Sequence, residues 1–356
     1  MKSVKRTIIV ILTVLLSACQ VFLGHDPDGS PRGIFDRIWT DFDETYALMD
    51  VKGINWDEVY RVFSPRITSG MGEQALFDVC ADMLKTLHDS HVYLASSFEY
   101  ANSGSMYDTA HTDSFSLEVV KHYLRNGGTA AGNGMFWHGT FETNSRIGYI
   151  SIAGFAQGSV GIAQSQDWAK SIDGIIRSLA DTDSLVLDIR GNRGGLISNV
   201  DYISGRFAAS QKEYAEIRTK DGPGSVDFSD PMTHRIKPAG DISASSRYTR
   251  PIVLLTNKQT ISGGEWFTLA LRSQSHVIHA GGPTNGAFSL SLERTLINGW
   301  RYSMSVQKVT DMNGICYEGI GIVPEAEHIR VNTDAEITAG IDTQLEYAIS
   351  LCEQTR

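Results

Sequence analysis

Two short apolar runs, SLVLDIR at residues 184–190 and PIVLLTN at 251–257, leave this chain few folds to choose from. Runs of this length without polar alternation fit strands covered on both faces, as in a parallel sheet with helices packed on either side. The segments around them agree. RIGYISIAGF (146–155) reads as a strand, QDWAKSIDGIIRSLA (166–180) as a helix, GGEWFTLALRSQ (263–274) as a helix and HVIHAG (276–281) as a short strand. SLSLERTLI (289–297) and YSMSVQKVT (302–310) read as an alternating pair. Strands and helices in succession make this an α/β core.

Upstream the period changes. IFDRIWTDFDETYALMD (34–50) places Ile34, Ile38, Phe42, Thr45 and Met49 three and four residues apart, Asn55-Trp56-Asp57-Glu58 opens a second helix with an acidic first turn, and GEQALFDVCADMLKTL (72–87) supplies a third. A small helical unit over 34–95 is the simplest account. Residues 96–145, rich in Gly, Ser, Thr and Asn, read as a loop-rich connection with one helix around Leu117 to Leu124.

The first residues are targeting rather than fold. Lys2, Lys5 and Arg6 precede the apolar run IIVILTVLL and then Leu16-Ser17-Ala18-Cys19, a secretion signal by pattern and too short to span a bilayer. Small residues before a cysteine resemble the lipobox of bacterial lipoproteins, which implies a signal peptide over 1–18, acylation of Cys19 and a tether over 19–33. Gln20 after that cysteine implies the outer membrane as destination. Removing the leader takes the formal charge from −10 to −13, which argues against nucleic acid as a partner. Cys80, Cys316 and Cys352 have no metal-ligand spacing, so no metal or cofactor is expected.

Four segments could carry chemistry. Ser262 stands between an apolar strand and an apolar helix in Thr260-Ile261-Ser262-Gly263-Gly264-Glu265. With Glu265 three residues on, it fits a capping box. The same strand-to-helix turn also exposes a hydroxyl beside the Gly263 amide and the head of a helix dipole. Leu187-Asp188-Ile189-Arg190-Gly191-Asn192-Arg193-Gly194-Gly195 ends a strand in glycines whose amides can face a carbonyl. It lacks the spacing of a nucleotide loop. His88-Asp89-Ser90-His91 offers an imidazole near neutral pH, or simply packing histidines. Cys316-Tyr317-Glu318-Gly319-Ile320-Gly321 holds an acid in a turn.

In this order, DSHVYL, LDIRGNRGG, LTNKQTISGGEWF and EGIGIVPE resemble the tail-specific, or C-terminal-processing, serine protease family. That resemblance implies a crotonase-like β-α spiral over 146–356, preceded by the helical unit, with Ser262 as nucleophile. The family's serine-lysine branch carries its lysine in a loop like GxTFGKG. Here that loop is Gly281 to Phe288 and the lysine position holds Ala287. The branch similar to tricorn protease instead implies His91 as general base, Ser90 and Glu318 as supporting groups, and an oxyanion hole from the amides of Gly263 and of Gly194 or Gly195. Its substrate is a peptide or unfolded protein. Residues 96–146 are too short for a PDZ domain, so capture of tails through such a groove is not expected. A degenerate ligand- or peptide-binding protein on the same scaffold is the alternative.

Overall fold

The computed structural model describes residues 28–104, 114–156 and 167–354; the leader, Cys19 and most of the tether lie outside them. Among the described residues no helix is long and apolar enough to cross a membrane.

The chain opens with helices α1 (Pro31–Thr45), α2 (Met49–Lys52), α3 (Trp56–Phe63) and α4 (Glu73–Lys85). Helix α1 begins earlier than the apolar period indicates. Ser30 caps it by accepting the Gly33 amide at 3.1 Å, and Pro31 occupies the first helical position, where its missing N–H costs nothing. Residues 31–33 are therefore helix rather than tether. The apolar faces of α1 and α4, with Phe35, Phe42, Phe77 and Met83, close on Trp300, Tyr302 and Met304 from far along the chain. Tyr302 and Met304, with Trp300 just ahead of them, belong to an antiparallel sheet of order β11-β12-β1-β2, built from β1 (Tyr93–Ala95), β2 (Tyr100–Asn102), β11 (Ser291–Thr295) and β12 (Arg301–Ser305).

The stretch read as loop-rich holds more structure than expected. After α5 (Leu117–Tyr123), strands β3 (Thr129–Ala131) and β4 (Phe136–Thr140) add two antiparallel members to the edge of the main sheet. Such edge strands need no continuous apolar run, and that is why the sequence hides them. Inward from them lie β5 (Ile147–Ile152), β6 (Ser184–Asp188), β9 (Ile252–Thr256) and β10 (Val277–Gly281), all parallel.

The apolar runs follow from what covers them. Leu185, Leu187, Ile252 and Leu254 pack under α6 (Ser171–Ser178), α7 (Ile197–Ser204) and α8 (Gly263–Arg272). Val186, Val253 and Leu255 meet Leu345, Ala348 and Leu351, which belong to the last helix, α10 (Thr343–Gln354), beyond the short α9 (Asp334–Thr338). A third sheet, β13-β7-β8, joins β7 (Lys212–Thr219), β8 (Met232–Ile236) and β13 (Gln307–Asp311). The run YSMSVQKVT is thus two strands in two sheets, parted at Val306, whose amide donates to Leu290 O and whose carbonyl accepts from Lys220 N.

A buried guanidinium locks the last helix to the end of β6. Arg190, 2 % exposed, donates to Asp188 (Nε to Oδ1 3.0 Å, Nη2 to Oδ2 2.7 Å) and to Asp342 (Nη1 to Oδ1 2.8 Å, Nη2 to Oδ2 2.9 Å). Replacing Arg190 by Leu strands two buried carboxylates, and the expected loss is about 3–5 kcal/mol of unfolding free energy. Urea titration followed by circular dichroism measures it; a loss below about 1 kcal/mol, within the ordinary range of surface substitutions, would mean that the cluster anchors nothing.

Candidate active site

Adjacent parallel strands β6 and β9 deliver their following loops to the same, carboxyl edge of the sheet, where open α/β sheets place their ligands. The two loops are stitched together. Ile261 N donates to Asn192 O at 3.0 Å, Thr260 Oγ1 to Ile189 O at 2.9 Å and Gly191 N to the Asn257 Oδ1 at 2.9 Å.

Ser262 sits at the head of α8 with φ +57° and ψ −119°. The capping box foreseen between Ser262 and Glu265 is present, yet an ordinary N-cap residue is extended, with negative φ. A side chain held at positive φ is sparsely populated, costing of order 1–3 kcal/mol, and persists where the surroundings enforce it. Gly194 is part of that enforcement. At φ +76° it comes so close that a Cβ there would lie 2.8 Å from the Ser262 Cβ and 2.7 Å from Gly263 N.

The two glycines proposed as alternatives in the loop differ in what their amides do. Gly194 N already donates to Asn192 Oδ1 at 2.8 Å. Gly195 N and Gly263 N make no hydrogen bond among the described residues, and a Cβ on Gly263 would lie 2.9 Å from Gly195 N. Two uncommitted amides therefore stand side by side next to the Ser262 side chain.

Glu265 is fully buried and takes a donor on every lone pair. Its Oε1 accepts from Thr284 Oγ1 (2.7 Å) and Gly286 N (2.6 Å), and its Oε2 from Ser262 N (3.1 Å) and Ala287 N (2.8 Å). Burial pushes its carboxyl up from the ordinary range while those hydrogen bonds pull it down. On the far side of the same turn Lys258 Nζ donates to Thr284 O (3.0 Å) and Asn285 O (3.1 Å). Burial lowers the Lys258 ammonium, against the Glu265 charge.

Glu318 continues the chain of contacts. Its Oε1 accepts from Phe288 N (3.0 Å) and Ser289 N (2.7 Å), and Gly319 N donates to Gly286 O at 2.7 Å. Burial, then the charges of Asp89 and Glu265, hold its carboxyl well above the usual range. The His88–His91 segment lies alongside: Lys52 Nζ donates to His88 O at 3.0 Å and is 4.0 Å from where a Gly319 Cβ would be.

His91 is fixed by its backbone, through Asp89 Oδ1 on its amide (2.8 Å) and Ser303 Oγ on its carbonyl. Its ring is free: Nδ1 is buried without a partner, and no hydrogen bond joins His91 to Ser262 or Glu318 among the described residues. Burial lowers its pKa, and Asp89 opposes this. Ser90 meets Asn102 Nδ2 through its carbonyl (3.2 Å).

Sequence reasoning missed Asn192, Thr284 and Lys258, and saw Glu265 only as a cap. The available signal was a carboxylate inside an otherwise apolar helix, GGEWFTLAL, where burial demands partners. Glu265→Gln keeps the volume but turns an amide NH2 toward two of the four donors. The expected loss is about 3 kcal/mol, from buried donors left unpaired. An unchanged melting temperature would count against the four-donor arrangement.

Comparison with known proteins places this arrangement. The model for peptidase family S41 matches residues 146–328, and the tricorn protease C1 domain model matches residues 27–85. The carboxy-terminal processing protease CtpB of Bacillus subtilis (strain 168) is 24% identical over 178 residues, 50% of this chain and 33% of that protein. The chain thus spans about a third of the length of the curated relatives it matches. A putative peptidase from Parabacteroides merdae ATCC 43184 superposes with a TM-score of 0.80 at 28% identity, covering 91% of this chain and 97% of that one. Mature CPAF shares the fold alone, with a TM-score of 0.65 at 13% identity over 91% of this chain and 96% of its own. The match over residues 146–328 spans β5 to β13, both glycine-bearing loops and the Glu318 turn, and the chain belongs to peptidase family S41.

Proposed function

We propose that this protein is an exported, lipid-anchored serine endopeptidase that cleaves peptides or unfolded proteins. The observation that carries the reading is Ser262, held at φ +57° at a helix head beside the uncommitted amides of Gly195 and Gly263. In this reading the Ser262 hydroxyl attacks the scissile carbonyl. The two amides receive the developing oxyanion, with Gly194 shaping the turn rather than donating. His91 takes the serine proton and returns it to the leaving amine. Glu318 acts through the amides of Phe288 and Ser289, holding the turn that Glu265 grips from the other side, and Ser90 keeps His91 in place.

The first experiment compares the chain from Pro27 onward with its Ser262→Ala and His91→Ala variants on an unfolded protein and a mixed peptide library, read by mass spectrometry. Each variant is expected to lose about a thousandfold or more in kcat. Cleavage that survives Ser262→Ala would sink the reading, and a folded parent that cuts nothing would favour a binding role, for which the missing Ser262–His91 hydrogen bond speaks. The pH profile adds a sign. Burial keeps the His91 imidazole neutral, and so competent as a base, below its ordinary 6.5. The acid limb of kcat/KM is therefore expected below pH 6.5; a limb above it would exclude His91 as the base.

Anchoring rests on Leu16-Ser17-Ala18-Cys19 and places the protein in the bacterial cell envelope, at the outer membrane. Cys19→Ser is expected to abolish incorporation of labelled palmitate and to release the protein from the membrane fraction. Labelling that persists in the variant would refute this.

A further inference from the structure

The base proposed above is held by a carboxylate other than Glu318. Asp89 is 2 % exposed. Its Oδ1 accepts the His91 amide at 2.8 Å, and its Oδ2 accepts the Tyr46 hydroxyl at 2.8 Å. Tyr46 is fully buried directly after α1, with its own amide on Phe42 O at 2.9 Å. On the other side of Asp89, His88 is at φ +46° with its carbonyl on Lys52 Nζ at 3.0 Å. The helical unit therefore grips the His88–His91 segment twice, through a hydroxyl and an ammonium.

Asp89 has two donors where an ionised carboxylate has room for about four. His91 Nδ1, on the residue whose amide already meets Asp89 Oδ1, is buried and lacks a partner. The Asp89 charge already acts on this ring, and a hydrogen bond from Nδ1 to the carboxylate would satisfy the buried nitrogen. The proton would then sit on Nδ1, leaving Nε2 as the basic nitrogen. Glu318 is tied instead to the neighbouring turn, where its Oε1 accepts the amides of Phe288 and Ser289.

We propose that Asp89 is the positioning carboxylate for His91, and that the Tyr46 hydroxyl, supplied by the helical unit, holds Asp89 in that role; this rests on the reading of Ser262 and His91 as nucleophile and base. The charged and titratable groups around the pair are Tyr46, Lys52 and the Asp89 carboxylate from the helical side and Glu318 from the facing turn. Of these, Asp89 is the group whose charge acts on the imidazole, supporting its protonated form against burial.

The test uses the mature chain with Asp89→Asn, Tyr46→Phe and the double variant, and follows the His91 ring by NMR titration, assigned by its loss in His91→Ala. Asp89→Asn is expected to lower the His91 midpoint by about one unit and to carry the acid limb of kcat/KM down with it. It is also expected to reduce kcat about tenfold or more with KM little changed. Tyr46→Phe keeps the ring in the core, so folding is preserved; it should move the midpoint and lower kcat at constant KM, yet add nothing to Asp89→Asn. A merely structural Asp89 would lower the melting temperature and leave the midpoint at its parent value, and that result overturns the proposal, as would additive kcat losses. The titration needs no turnover. If Ser262→Ala keeps full cleavage, the peptidase reading fails while the midpoint still decides whether Asp89 and His91 are coupled.

Discussion

Four donors converge on the Glu265 carboxylate, and the order of the whole site depends on that convergence. Ser262 N comes from the strand-to-helix turn, Thr284 Oγ1, Gly286 N and Ala287 N from the loop after β10. Two segments that share no secondary structure are thereby fixed to one rigid, buried group. The unfavourable φ of Ser262 has a physical counterweight here, since relaxing it would pull the Ser262 amide off a charged acceptor. Hydrogen bonds to a charged group are roughly twice as strong as neutral ones. Glu265 also reaches the facing turn: after burial and the Asp89 charge, its own charge contributes to holding the Glu318 carboxyl above the usual range, which favours the neutral form there.

Arg190 solves a different problem on the other side of the sheet. The loop after β6 must be glycine-rich to approach Ser262, and such a loop has little side-chain packing to hold it. The guanidinium places the chain at the start of that loop and ties it to Asp342, ahead of α10. Asn192 finishes the task, with Nδ2 on Ile152 O at 2.8 Å and Oδ1 on Gly194 N. By occupying the Gly194 amide, Asn192 leaves Gly195 as the free donor beside Gly263.

How much of this the sequence disclosed follows from what kind of contact each residue makes. Strands β5, β6 and β9 were legible because both faces are covered, which favours consecutive apolar residues such as Leu185 to Leu187 and Ile252 to Leu255, and the short β10 showed as Val277-Ile278 beside them. Strands β3 and β4, at the edge, carry no such demand. β7 alternates weakly, as KEYAEIRT, because one face meets Trp266 and the other is exposed. The split at Val306 was invisible, since β12 and β13 keep an extended backbone and only their partners change. The residue types at Ser262, His91 and Glu318 could be singled out along the chain. Glu265 takes one donor, Ser262 N, from the local capping box, and Asp89 takes His91 N from two residues on; their other donors come from residues 19 to 43 positions away, and no local pattern encodes those.

The nucleophile and the base proposed here therefore belong to different supports. Ser262 is set by the parallel sheet and the Glu265 grip; His91 leads into β1, whose sheet closes on the helical unit. No hydrogen bond spans the two side chains, so their alignment is fixed by how the helical unit seats against the core. Beside the apolar packing of α1 and α4 on Trp300, Tyr302 and Met304, and the Arg294 and Tyr302 side chains on the Asp41 carboxylate, the seating includes three polar contacts: Ala47 N on Ser305 O at 2.9 Å, Lys52 between His88 and Gly319, and Tyr46 on Asp89. These three originate between residues 46 and 52, just after α1 and in α2. Two of these contacts bear on the His88–His91 segment, and the Lys52 side chain also lies beside Gly319, whose amide donates to Gly286 O and so meets the Glu265 grip on Ser262; the segment therefore touches both supports of the proposed chemistry.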